Sequence, residues 1–166
     1  MPKLLTQLTR LSRRPKEIAT FCGNPWRLQA TFKTPLKELD RFVATLLKPV
    51  SAESAVLSLD LVVFEPKHLI ALLNRSSIQV DDSWHLNLRA ESQELVTELL
   101  VAALADWTDF VFIPSPPSFA IYADHDEYVT FYAKARANLK SLQTRLIAGG
   151  FKHIDGYIRS TGEPRN

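Results

Sequence analysis

The run FVFIPSPPSFAIYADHDEYVTF, residues 110–131, constrains the fold more than any other part of the chain. Its first apolar stretch ends in three closely spaced prolines, which forbid regular structure and stiffen a turn. A second apolar stretch follows, so the pattern predicts two strands joined by that turn. Asp124, His125, Asp126 and Glu127 come next. They predict the start of a long helix, because aspartate caps free amides and acids suit the helix dipole.

The spacing of apolar residues predicts the other elements. Strand patterns, mainly alternation with a period of two, predict strands at residues 26–32, 55–64, 78–80, 84–89, 110–113, 119–123 and 152–159; residues 110–113 are apolar on both faces, which predicts an interior strand. Repeats at helical spacing predict helices at residues 34–47, 65–73, 92–107 and 126–148.

The order of these elements predicts an α+β fold with a mixed, mainly antiparallel sheet and helices packed mostly on one face. Residues 84–159 have the order βαββαβ, which resembles the ferredoxin-like arrangement. Right-handed crossovers would make strands 84–89 and 119–123 parallel neighbours. The likeness is one of element order only and implies no function. Since no linker interrupts the chain, we expect a single domain over residues 17–159.

The predicted sheet gathers charged residues at one edge. Parallel neighbouring strands end at the same edge, about 5 Å apart, and an antiparallel hairpin partner begins there. The ends of strands 84–89 and 119–123 and the start of strand 110–113 should therefore meet. This predicts a binding rim composed of Arg89, Glu91, Trp107, Asp109, Asp124, His125, Asp126 and Glu127.

Three interpretations of this rim remain open. Helix capping alone explains the acids. A rim of acids flanked by the aromatic residues Trp107, Tyr122 and Tyr128 is also typical of a protein-binding surface, which predicts a non-enzymatic binding protein with a protein partner and no cofactor. The alternative is a hydrolase or phosphotransfer enzyme that binds Mg²⁺ or Mn²⁺ through Asp124, Asp126 and His125, since hard cations prefer carboxylate oxygens.

Composition and motifs narrow the function classes. Apolar residues make up 46% and charged residues 23%, as in soluble globular proteins, and no apolar run is long enough to cross a bilayer. One cysteine, Cys22, forms no internal disulfide, which favours the cytoplasm. The chain lacks a glycine-rich phosphate loop, a zinc-ligand pattern, a serine nucleophile elbow and the aromatic pattern of an RNA-recognition sheet.

The N-terminal residues differ in charge from the rest of the chain. Residues 1–16 carry five basic residues and no acid, and since the chain totals +2, the remainder carries −3. This basic arm has leucines on one helical face and is interpreted as a docked or frayed terminal helix, a basic arm that grips an acidic surface, or a transit peptide. Nucleic-acid binding is expected, if at all, only through this arm. Residues 160–166 are expected to form a flexible tail.

Overall fold

The computed structural model describes residues 27–81 and 86–159. The predictions for the arm 1–16, Cys22 and the tail 160–166 lie outside these residues. The described residues form four helices and eight strands: β1 Leu28–Lys33, α1 Leu39–Leu47, β2 Ser54–Leu61, α2 Lys67–Arg75, β3 Gln79–Asp81, β4 Leu86–Ala90, α3 Gln93–Ala105, β5 Asp109–Ser115, β6 Ala120–Ala123, β7 Tyr128–Ala133, α4 Arg136–Ala148 and β8 His153–Ile154.

All eight strands belong to one antiparallel sheet with the order β3-β4-β2-β5-β6-β7-β1-β8. The predicted α+β class is therefore confirmed. The ferredoxin-like unit over residues 84–159 is not confirmed, and the expected parallel pairing of strands 84–89 and 119–123 is wrong. β2 and β5 lie between these two strands, because β4 pairs with β2 and β6 pairs with β5. The order of elements along the chain cannot reveal that β2, a strand from the first half of the chain, lies between β4 and β5, two strands from the second half.

Alternation along the strands builds the core on one face of the sheet. Leu57 in β2, Phe112 in β5 and Phe131 in β7 are fully buried on the face that packs against the helices. Phe42 of α1 and Leu99 of α3 belong to the same cluster. The opposite face carries a smaller buried cluster of Val111, Ala120, Tyr122 and Tyr132. Buried residues therefore lie on both faces at the centre of the sheet.

The predicted helix 126–148 is wrong in its first half. Residues 128–133 form β7, which pairs with β6 on one side and with β1 on the other. The helix begins only at Arg136. Tyr128, Phe131 and Tyr132 happen to fit helical spacing, yet the same residues alternate in a strand whose two neighbours satisfy the backbone.

The predicted final strand 152–159 is much shorter than expected, since only His153–Ile154 pairs with β1. The following segment, residues 155–159, reaches the sheet face opposite the helices. There the ring of Tyr157 lies 5.2 Å from the ring of Tyr128, measured between centroids. The Arg159 guanidinium lies 4.8 Å from the ring centroid of Tyr122. We call residues 155–159 the C-terminal strap.

Within the described residues, the helices are too short and insufficiently apolar to cross a bilayer. The longest of them, α3 and α4, have 13 residues each.

The face assignment in β2 predicts unequal effects of truncating adjacent residues. Leu57→Ala should lower the free energy of unfolding by about 2–5 kcal/mol, because a fully buried side chain leaves a cavity under the helices. Val56→Ala, on the other face and only half-buried, should cost under about 1.5 kcal/mol. Urea unfolding followed by circular dichroism measures both values, and equal losses would contradict the assignment.

Candidate functional site

The four ionisable residues 124–127 form the turn between β6 and β7. Asp126 Oδ1 accepts a hydrogen bond of 3.0 Å from the backbone N–H of Tyr128, a contact two residues along the chain that is typical of aspartate in turns. Glu127 has a φ of 71°, in the left-handed region. Its carbonyl accepts a hydrogen bond from the amide of Thr34, at 2.8 Å. The acids therefore stabilise a hairpin turn and not the predicted helix start.

His125 is held between two carboxylates. Asp109 Oδ1 accepts a hydrogen bond of 3.1 Å from the His125 backbone N–H and lies 2.8 Å from the His125 Nδ1. Asp124 Oδ1 lies 2.7 Å from the same nitrogen. A proton on Nδ1 is therefore shared between both acids. The His125 side chain is 40% exposed, so the imidazole also faces solvent.

Asp109 is the buried member of this group. It opens β5 and pairs with Leu61 at the end of β2, and its side chain is fully buried. Its second oxygen, Oδ2, is buried and has no hydrogen-bond partner. The pKa of Asp109 is raised from 3.8 to about 6: burial is the largest cause, the hydrogen bonds from His125 oppose it, and the charge of Asp124 adds to it. A buried carboxyl group with a raised pKa therefore lies in contact with His125.

Arg159, at the end of the strap, brings positive charge to the outer side of the group. Its Nη1 lies 3.5 Å from Asp124 Oδ2 and 3.6 Å from Asp126 Oδ2. Its Nε donates a hydrogen bond of 3.0 Å to Thr130 Oγ1. The side-chain oxygen of Gln29 accepts a hydrogen bond of 2.8 Å from the Arg159 amide. These contacts fix a buried guanidinium beside the two aspartates.

Tyr122 completes the buried surroundings. Its hydroxyl donates a 3.4 Å hydrogen bond to Asp60 Oδ2, and the residue is 1% exposed. Burial is the largest cause that raises the pKa of Tyr122 above its ordinary value of 10.0, and the neighbouring aspartates add to it. Tyr122 therefore stays protonated at neutral pH and serves as a hydrogen-bond donor.

The structure brings together only part of the predicted rim. Asp109, Asp124 and His125 form one group, and one potential ligand atom from each lies within 4.8 Å of the others. Arg89 and Glu91 lie at the opposite edge, because Ala90 pairs with Ala55, which pairs with Pro114 at the far end of β5. Their predicted place beside Asp124 is wrong, since it depended on the parallel pairing.

The other rim residues lie close to the group in the chain but have separate contacts. Trp107 is half-buried in the connection before β5 and has a φ of 55°. Glu127 Oε2 lies 3.7 Å from Lys33 Nζ. Asp126 Oδ2 lies 3.6 Å from Arg159 Nη1, the atom that also approaches Asp124.

Sequence reasoning missed two contacts of charged residues at this edge of the sheet. The first is the contact of Arg159 with Asp124, which lies 35 residues earlier in the chain, because the sequence around Arg159 gives no indication of that partner. The second is the Asp106–His68 pair. Asp106 Oδ1 lies 2.6 Å from His68 Nδ1, and Oδ2 accepts a hydrogen bond of 2.8 Å from the Leu69 amide, so Asp106 caps α2. An aspartate just after a helix gave no indication of that partner.

Neither a protein-family model, nor a curated protein sequence, nor a solved structure gives a significant match to this chain.

The raised pKa of Asp109 predicts a pH-dependent stability. The folded state holds the proton more tightly than the unfolded state, so the contribution of Asp109 is fully present below pH 3.8 and is lost as the pH rises through 6. The free energy of unfolding of the protein, minus that of Asp109→Asn, should fall on the order of 2 kcal/mol between pH 4 and 7. Urea titrations in buffer with a chelator measure this difference.

Val111→Ala is the control for this prediction. It truncates an apolar residue of the same strand without removing a titrating group. The difference between the protein and Val111→Ala should therefore not change with pH. An equal slope for Val111→Ala, or no slope for Asp109→Asn, would contradict the assignment.

Proposed function

We propose that this protein is a non-enzymatic protein that binds another protein through the sheet edge around the turn 124–127. The single cysteine favours a cytoplasmic role. The edge is the one at which β2, β6 and β1 end and at which β5 and β7 begin.

The observation that carries the proposal is a pair of exposed apolar side chains at this edge. Val63 is 46% exposed and Phe64 is 56% exposed. They lie two and three residues after Leu61, the last residue of β2, which pairs with Asp109. β5 in turn pairs with β6 just before the turn 124–127. Adjacent exposed apolar residues bordered by charge are typical of protein interaction surfaces. This arrangement supports Val63 and Phe64 as the apolar part of a contact.

The acids of the turn support a polar border to that contact. Asp126 and Glu127 are the more exposed acids, at 35% and 49% of their side chains, whereas the Asp124 side chain is 13% exposed. Arg159 and Lys33 offset part of this negative charge. We therefore expect apolar burial to supply most of the affinity, and the acids to orient a partner that presents lysine or arginine.

The aromatic residues contribute less than the sequence predicts. Tyr122 is buried and cannot reach a partner. Trp107 and Tyr128 are half-buried, and the Tyr128 ring already packs against Tyr157. Among the aromatic residues in the described part of the chain, Phe64 is the one exposed enough for an anchoring role.

A capture experiment with matched variants tests this proposal. The tagged protein serves as bait in lysate of its source cell, and captured proteins are quantified by mass spectrometry. We expect one stoichiometric partner, and we expect the Val63→Ser, Phe64→Ser double variant to recover at least about tenfold less of it, because it removes the apolar contact. Asp126→Asn should weaken recovery at low salt more than at high salt.

Ile147→Ser is the control for this experiment. Ile147 lies in α4 and is 53% exposed, so it resembles Val63 in exposure but belongs to a helix instead of the sheet edge. It should recover the partner fully. A lack of any stoichiometric partner, or an equal loss with Ile147→Ser, would refute the proposal.

A divalent-metal-dependent hydrolase or phosphotransfer enzyme is the second candidate. The observation that favours it is the Asp109–His125 contact, since a buried carboxylate that fixes the orientation of an exposed imidazole is a common arrangement for a general base. Asp124 on the same nitrogen adds a carboxylate that a metal can bind.

Turnover of phosphate esters tests this second candidate. If the protein is such an enzyme, p-nitrophenyl phosphate or its diester should be hydrolysed with Mg²⁺ or Mn²⁺, and a chelator or His125→Ala should reduce the rate at least about a hundredfold. This candidate would be removed if the unchanged protein and His125→Ala hydrolysed the esters at the same rate, or not at all, with Mg²⁺ and with Mn²⁺.

A further inference from the structure

We propose that Asp109, Asp124 and His125 form a binding site for a divalent transition-metal cation, and that Arg159 is a built-in cationic competitor of that site. The inference goes beyond protein binding. It shares with the second candidate the need for a bound cation, but its test measures binding without turnover, so a protein that binds Mn²⁺ and hydrolyses no phosphate ester would support this inference and not that candidate.

The ligand atoms are already gathered. His125 Nδ1 lies 2.8 Å from Asp109 Oδ1 and 2.7 Å from Asp124 Oδ1. An octahedral cation with bonds of about 2.1 Å holds adjacent ligand atoms roughly 3 Å apart. Replacing the shared Nδ1 proton by a cation therefore requires shifts of only a few tenths of an ångström between nitrogen and each oxygen.

The buried oxygen of Asp109 is a second, independent indication. Oδ2 belongs to a fully buried side chain and has no hydrogen-bond partner, although its sister oxygen contacts His125. An unpaired carboxylate oxygen in the interior is unfavourable, and such groups usually have a donor or a cation. By contrast, both carboxylate oxygens of Asp106 accept hydrogen bonds. A cation bound at Asp109 would neutralise the charge that Oδ2 shares.

The supporting elements hold two ligands in place. Asp109 is the first residue of β5, and Asp124 follows β6 directly, while β5 and β6 pair with each other. His125 is tied to Asp109 through its own backbone N–H as well. A site placed at strand ends needs little ordering when the cation binds.

The geometry changes the ligand set that the sequence predicts. Asp126, one of the three sequence-predicted ligands, uses Oδ1 to accept from the Tyr128 amide and has Oδ2 near Arg159. Asp109 takes its place. Arg159 approaches the other oxygen of Asp124, Oδ2, at 3.5 Å, so it leaves Oδ1 for the cation but lowers the affinity by repulsion.

The donor set favours one class of cation. An imidazole nitrogen with two carboxylate oxygens suits Mn²⁺ and its first-row neighbours, whereas Ca²⁺ prefers six to eight oxygen ligands. Mn²⁺ is the probe of choice because its electron paramagnetic resonance signal falls when the hydrated ion binds to protein.

Titration of Mn²⁺ into the full, chelator-treated protein at pH 7.5 tests the inference. We expect one site per chain. Asp109→Asn and Asp124→Asn should each weaken binding at least about tenfold, because each removes a charged ligand. Ca²⁺ should displace Mn²⁺ only in large excess. Arg159→Gln should strengthen binding roughly tenfold, since it removes a nearby positive charge.

Two variants on the same turn are matched controls. Asp126→Asn removes an acid next to the site but not a ligand, and Lys33→Gln removes the positive charge near Glu127. Both should bind Mn²⁺ within about threefold of the unchanged protein. Circular dichroism spectra establish that each variant is folded, and Asp124→Asn carries the test if Asp109→Asn does not fold. The inference is overturned by a failure of the unchanged protein to bind at 1 mM Mn²⁺, or by an equal loss with Asp126→Asn and Asp124→Asn.

Discussion

The antiparallel pairing of β2 with β5 at the centre of the sheet is the constraint on which the remaining structure depends. It places Leu57 opposite Phe112, and both are fully buried under the helices. Because strand direction alternates across the sheet, the same pairing decides which strand ends share an edge. Asp109 meets the ends of β2 and β6, while Glu91, after β4, lies at the other edge. The candidate site is a consequence of this alternation.

Two carboxylates at the connection between α3 and β5 show how burial and hydrogen bonding decide the role of an acid. Asp106 and Asp109 are both buried, and each accepts from the backbone N–H of a histidine while contacting its Nδ1. Asp106 has partners for both oxygens and caps α2, so its role is structural. Asp109 has one oxygen without a partner, which makes it the acid with unused binding capacity.

The strap connects the two proposals about this edge. The Arg159 guanidinium lies beside both Asp124, which belongs to the proposed cation site, and Asp126, an acid of the turn outside it. Val63 and Phe64 are exposed and suit a large partner, whereas Asp109 is enclosed and suits an ion. A cation bound by Asp109, Asp124 and His125 and a protein bound at Val63 and Phe64 would therefore occupy different parts of the same edge. The two kinds of binding use different side chains.

The local pattern of apolar residues was enough to predict most of the elements and one part of the site. The pattern predicted two strands, 110–113 and 119–123, and the turn between them. Because a hairpin is a local structure, it also predicted that Asp109 lies close to Asp124. The spacing of Tyr128, Phe131 and Tyr132 satisfied a helix and a strand alike, and β1 and β6 decided in favour of the strand.

Contacts between distant residues were decided only by the tertiary structure. β2 lies between β4 and β5, an order that the apolar pattern of each separate strand does not specify. Arg159 reaches Asp124 only because the chain crosses the sheet after β8. The sequence by itself determined which residues alternate between core and surface, since that depends on local periodicity. The tertiary structure decided which charges meet, since that depends on the order and direction of strands far apart in the chain.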